Sequence, residues 1–185
     1  MAVQIARWQF TVSDYARMRE IGILTEDDRV ELIDGEVRPM TPIGPQHAAI
    51  VNRLNRLLAQ QLGAPAIVSV QNPIQLDDHS EPQPDLAVLR SRADFYAQAL
   101  PRPTDVLLLI EVADSTAAYD RNEKVPRYAA AGIPEVWLVD IAGLTLEQYT
   151  QPRNGRYYTQ RVLERGESAQ ADGVALAVAV EQLFA

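Results

Sequence analysis

Apolar positions along the chain sketch its elements. Between Gln46 and Leu62, the residues Ile50, Val51, Leu54, Leu57, Leu58 and Leu62 recur three and four apart, and Gly63 follows. That spacing predicts a helix with one greasy face and a glycine stop. Other runs are short, continuous and rich in Val, Leu and Ile, as buried strands are. They are A-I-V-S-V-Q within the stretch Ile67 to Leu76 (which resumes as I-Q-L after Asn72-Pro73), P-D-L-A-V-L from Pro84 to Leu89, V-L-L-L-I-E-V-A from Val106 to Ala113, and V-W-L-V-D-I from Val136 to Ile141. Two hairpins are predicted from turn dipeptides between apolar runs: Asp34-Gly35 between Val30 and Met40, and Asn154-Gly155 between 144–149 and 157–163. A short helix over Phe10 to Glu20, capped by Thr11 or Ser13, precedes the first hairpin.

Two regions are harder to place. Residues Arg90 to Thr104 carry P-R-P and read as a short helix with a loop. Asp120 to Ala131 reads as a helix ended by Gly132, but Pro126 falls inside it, so its start is expected only near Asn122 or Glu123. The loop Asp77-Asp78-His79-Ser80-Glu81 could bind a cation but is expected to be solvated. The last element, around V-A-L-A-V-A-V, is expected to end in an exposed tail. Helices and strands alternate without repeat or linker, which predicts a single α/β (α+β) domain over residues 1–185, a mixed sheet covered by helices.

The chemistry sits where acids border apolar runs. Asp85 opens one strand and Glu111 lies near the end of another. A carboxylate in such a place must be paired, hydrogen-bonded or bound to metal. The chain has no cysteine and two histidines, so a zinc site of the usual kind is not expected. An oxygen site for Mg2+, or Mn2+, is the remaining option, with Asp85, Glu111 and the main-chain carbonyl of Val112 as candidate ligands. The chain's one lysine is Lys124, and every other member of its 17 Lys+Arg residues is arginine. A compact ammonium at that point would orient a water or neutralise charge in a phosphoryl transition state. Glu31, beside Leu32 on a strand, faces either solvent or a partner that wants a carboxylate; taken alone it reads as a solvated edge acid. His47 at a helix entry would reach a phosphate or a metal, or serve only as a first-turn residue.

These residues fall in a familiar order: E-L-I-D-G-E at 31–36, His47, P-D-L-A-V-L at 84–89, I-E-V-A-D-S-T at 110–116, D-R-N-E-K at 120–124, and Y-A-A-A-G-I-P-E-V-W-L-V-D at 128–140. The order resembles the PD-(D/E)XK nuclease superfamily, and more closely the Uma-two family of restriction-endonuclease-like proteins. The superfamily's usual lysine lies two residues after the glutamate, where this chain has Ala113. The Uma-two pattern has it on the following helix, matching Lys124. The resemblance implies a restriction-endonuclease-like mixed sheet flanked by helices, with an added N-terminal helix and hairpin. It implies Asp85, Glu111 and Lys124 as a catalytic set, Glu31 as an additional carboxylate, and a Mg2+-dependent endonuclease acting on nucleic acid, DNA in the first instance. A homodimer follows by analogy with nucleases that cut both strands.

Net charge and hydropathy adjust this picture. A net charge of −8 argues against broad phosphate tracking and keeps open a silent fold that serves as an interaction module. A glycosidase pair or a Schiff-base lysine would not explain why both acids border apolar strands. Residues 1–10 lack a leader pattern and no run approaches a membrane span, so a cytoplasmic protein is expected.

Overall fold

The computed structural model describes residues 7–25 and 27–185. Part of the segment on which the absence of a leader was read therefore lies outside the described residues. Among those described, no helix is long and apolar enough to cross a membrane.

The chain opens with α1 (Val12–Glu20), whose Thr11 cap accepts from the Asp14 amide while the Asp14 carboxylate takes the Thr11 amide. This reciprocal pair satisfies two donors that a helix start leaves open. Next come β1 (Val30–Ile33) and β2 (Glu36–Pro39), paired antiparallel from Val30↔Pro39 to Ile33↔Glu36. Asp34 (φ 50°) and Gly35 (φ 74°) make the turn between them. Gly35 is required on a second count, since a Cβ there would lie 2.6 Å from the Cβ of Gln9. Helix α2 (Pro45–Leu62) follows, starting on proline, which suits a first helical position.

The main sheet has the order β3-β4-β5-β6-β7-β8. Its strands are β3 (Ala66–Val70), β4 (Leu86–Arg90), β5 (Val106–Ala113), β6 (Glu135–Asp140), β7 (Thr145–Arg153) and β8 (Arg156–Leu163). β5 and β6 run parallel and all other neighbours antiparallel, so the sheet is mixed. The parallel pair needs a crossover. It is supplied by α3 (Ala117–Tyr119), a π-helical turn (Asp120–Lys124) and α4 (Val125–Ala130), three consecutive segments of one helical run.

Alternation along the strands builds two cores. Leu108, Ile110, Val112, Trp137 and Val139 pack towards Ile50, Leu54 and Leu58 of α2. Leu109, Ala113, Val136 and Leu138 pack with Val125 and Tyr128 of α4 on the other face. Glu111 shares the parity of Leu109 and Ala113, so it points to the α4 side. The mixed sheet between helices is as expected.

Several boundaries differ. The crossover helix begins at Ala117, not at Asn122 or Glu123, and the proline is absorbed by the widened turn just before it. Pro126 has no N–H, and its ring would crowd the carbonyl one turn back. The Val125 amide reaches the Asp120 carbonyl five residues away, which opens the helix at that point. Arg90 ends β4, and residues 91–104 form turns and the start of a 3-10 turn (Pro103–Asp105) in place of the expected helix. The I-Q-L stretch is not a strand; Ile74 and Leu76 are buried in irregular chain whose amides bond to Pro82 and Ser80. Strand β4 starts at Leu86, leaving Asp85 just outside it. The loop at 77–81 is solvated only in its first half, for Ser80 and Glu81 are buried and Glu81 pairs with Leu32. The C-terminus is no exposed tail: β9 (Ser168–Gln170), β10 (Ala177–Ala179) and α5 (Val180–Leu183) place Val178, Val180 and Leu183 in the α2-side core.

Candidate active site

A cleft of about 510 Å³ opens at the carboxyl end of β5. Its lining includes Glu31, His47, Asp85, Glu111, Val112, Asp120 and Lys124. Every residue singled out from the sequence is therefore in one place, although the residues are delivered by five separate segments.

Asp85 is held by three donors. Its Oδ2 accepts from the Val112 main-chain N–H at 2.9 Å and lies 3.1 Å from His47 Nε2; its Oδ1 accepts from Gln71 Nε2 at 3.2 Å. The Asp85 hydrogen bond lifts His47 above its ordinary pKa against the opposing effect of burial. Strand geometry sends the N–H and C=O of Val112 towards the same side, past the end of β4.

Glu111 and Lys124 form the floor. Lys124 Nζ stands 3.2 Å from Glu31 Oε2 and 3.3 Å from Glu111 Oε1. Tyr128, one helical turn after Lys124, donates its hydroxyl to the same Glu111 oxygen at 2.5 Å. Glu31, Glu111 and Lys124 are 4%, 3% and 7% exposed. The solvated-edge alternative for Glu31 is thus replaced by a buried ion pair, because the hairpin is packed on both faces and Glu31 faces the helical run. The hairpin is tied there by Arg127 on Asp34 (2.8 Å) and Arg38 on the Tyr119 hydroxyl (3.2 Å).

The cluster holds more acid than cation. Burial pushes the Glu111 carboxyl up to about 8; Lys124 opposes this, and Asp120 and Asp85 add to it. Burial alone would lower Lys124, but Glu111, Glu31 and Asp120 outweigh it and keep the ammonium charged. Asp120, which the sequence reading did not single out, is buried in the cleft wall and accepts from Thr116 Oγ1 at 2.7 Å. Burial raises its pKa as well. Its signal was the spacing Thr116–Asp120–Lys124, which places all three along one side of a helix. Tyr128, Gln71 and Gln83 were also missed. Tyr128 had a similar signal four residues after Lys124, whereas the glutamines had none.

Among the described residues, no three acidic or histidine side chains stand at the spacing of a complete metal cage. The donors present nevertheless suit a hard cation bound partly by water. Asp85, Glu111 and the Val112 carbonyl offer oxygen, and Glu111 Oε2 takes no protein hydrogen bond among the described residues, both its donors being on Oε1.

The family profile of Uma2, described as "Putative restriction endonuclease", matches residues 12–181. The chain belongs to the Uma2 family. The match runs from α1 to α5 and so includes every cleft residue named above. A crystal structure at 1.96 Å of "a putative nuclease belonging to DUF820" from Anabaena variabilis ATCC 29413 superposes with a TM-score of 0.66 at 18% identity. That alignment covers 89% of this chain and 95% of the other. At such identity the likeness is one of fold. No curated protein matches the chain.

Proposed function

We propose that this Uma2 member, acting as one domain, is a divalent-cation-dependent nuclease that hydrolyses phosphodiester bonds, with DNA as its substrate. The observation that carries the reading is the convergence of Asp85, Glu111 and Lys124, from three separate elements, on one cleft. The family assignment and the shared fold support it at the level of a nuclease. In this reading Asp85, Glu111 and the Val112 carbonyl hold Mg2+ or Mn2+ with water completing the shell. When bound, the cation supplies Lewis acidity and a water of lowered pKa.

The chain's own residues do the rest. Lys124 has three N–H donors, of which Glu31 and Glu111 engage two. The third is available to a phosphoryl oxygen or to the attacking water. Glu31 aims the ammonium, and Tyr128 fixes the rotamer of Glu111, leaving Oε2 for the cation. Low exposure at this floor strengthens each interaction with developing charge.

Incubation of the protein with DNA and RNA substrates in Mg2+ or Mn2+ tests the reading. Chelator-sensitive cleavage is expected, and it should be lost in Asp85→Asn and Glu111→Gln. Absence of cation-dependent cleavage on every substrate overturns it. The net charge of −8 favours a second reading, an interaction module without catalysis; binding of nucleic acid without cleavage would support that instead.

A further inference from the structure

We propose that Gln71 and Gln83 form a positioning relay that holds the Asp85 carboxylate for cation binding. The proposal rests on the nuclease reading and assigns it two residues that act on the cation through Asp85. The register Ser69↔Ala87, Val70↔Leu86 makes Gln71 and Asp85 the next cross-strand pair. The ladder stops there because Gln71 turns left-handed, at φ 50°. A residue with a Cβ seldom occupies that region, and it does so where surrounding contacts over-determine it.

Those contacts lead to the cleft. The Gln71 amide N–H donates to the Asp85 carbonyl at 2.9 Å, and its side-chain amide donates to Asp85 Oδ1 at 3.2 Å. One residue thus grips both the backbone and the carboxylate of Asp85. The Gln83 side-chain amide donates to the Gln71 carbonyl, holding the turned peptide from behind. The Gln83 main-chain N–H donates to Glu31 Oε2 at 3.2 Å, on the oxygen that meets Lys124. A continuous chain of hydrogen bonds therefore runs from the lysine side of the cleft to Asp85. Partners of this kind orient ligating carboxylates, and their loss typically weakens metal binding about 10- to 100-fold.

A plain turn residue would behave differently, and Gln71→Gly separates the two roles. Glycine accepts the left-handed backbone without strain but has no amide. Mn2+ binding by calorimetry and thermal unfolding of the metal-free protein are measured together. The expected result is an unfolding temperature equal to or above the parent's, with Mn2+ affinity lowered about tenfold. Gln83→Ala should weaken Mn2+ less, and adding it to Gln71→Gly should cost less than it does in the parent, because the side-chain amide that Gln83 holds in place is already gone. If Gln71→Gly fails to fold, Gln71→Asn keeps a residue tolerant of positive φ with its amide one methylene short, and the same affinity loss is expected. Affinity within about twofold of the parent in the Gln71 variant, a change too small for a lost partner of a ligand, overturns the relay. If the parent binds Mn2+ and Asp85→Asn abolishes it, that failure touches the relay alone. A parent that binds no Mn2+ overturns both the relay and the cation reading beneath it.

Discussion

Two buried glutamates on opposite sides of the crossover helix make a useful pair. Glu111 on β5 and Glu147 on β7 are almost equally inaccessible, and each accepts from a tyrosine hydroxyl and a cation of the π-helical turn. Yet their carboxyls move in opposite directions. Burial opposes ionisation at Glu147, but hydrogen bonds from Arg121 and Tyr149 outweigh it and hold the pKa below the usual range. At Glu111 burial prevails. The difference lies in sharing. Arg121 offers Glu147 two nitrogens of a planar fork, and Asp140 stands 3.5 Å away as its other acid. Lys124 divides one ammonium between Glu111 and Glu31, with Asp85 and Asp120 close by. A cluster with one cation for two acids is a brace. An acid-rich cluster opening on a cleft has room for an added cation.

The sharpest way to break this contrast is to remove the two cations in turn. Lys124→Ala should lower the cation-dependent cleavage rate about 100- to 1000-fold, the range for losing one transition-state donor. Arg121→Ala should cost far less activity. Equal losses measured with a labelled oligonucleotide would mean that the two glutamates are not functionally distinct.

Cation binding should follow the same division. At about 100 times its dissociation constant, Mg2+ is expected to stabilise the parent by about 2.7 kcal/mol. That gain, read as a rise in unfolding temperature, should vanish in Asp85→Asn and Glu111→Gln and persist in Glu147→Gln. A gain that survives in Glu111→Gln would remove this glutamate from the ligand set.

Stability should respond more to the brace. Arg121→Ala leaves Glu147 buried without its cation, at an expected cost of about 1–3 kcal/mol by urea unfolding. This figure is set below the range for a fully buried pair, since the Arg121 side chain is 36% exposed. Glu111→Gln in the metal-free protein should cost less, because burial already keeps this carboxyl protonated up to about 8 and the amide is neutral as well. The reverse ranking would overturn the description of the cleft as acid-rich.

The smallest effects should appear in the pH dependence of metal-free stability. The folded pKa of Glu111 lies above the ordinary 4.5, so its contribution is complete below 4.5 and is lost as pH rises towards about 8. Glu147 is lowered, so its contribution is present above 4.5 and is lost as pH falls below that value. Each slope is bounded by one proton, about 1.4 kcal/mol per pH unit. Glu111→Gln should flatten the neutral arm and Glu147→Gln the acidic arm; unfolding in chelator across pH would show whether the arms are so assigned.

Much of this was readable from order and spacing. The α2 stripe, the Asp34-Gly35 and Asn154-Gly155 turns and the apolar strands follow local rules of periodicity and turn chemistry, and they recur with shifts of one or a few residues. Asp85, Glu111 and Lys124 stood out because each is chemically odd where it sits: acids against apolar runs, one lysine among arginines. The C-terminal V-A-L-A-V-A-V was misjudged as leading to a tail because nothing local tells a short apolar segment which core it will cover.

What the sequence determined by itself was therefore the inventory: which segments pair or coil, and which side chains are costly unless answered. Only the tertiary structure decided the answers. Whether Glu31 met water or Lys124 depended on how the hairpin docks against the crossover. Whether Pro126 ended a helix or sat behind a widened turn depended on a hydrogen bond five residues long. The grip of Gln71 and Gln83 on Asp85 required a left-handed residue at the end of one strand to meet the start of another. Such contacts join residues that are distant in sequence, and their energies depend on burial and shared charge, which exist only once the chain has folded.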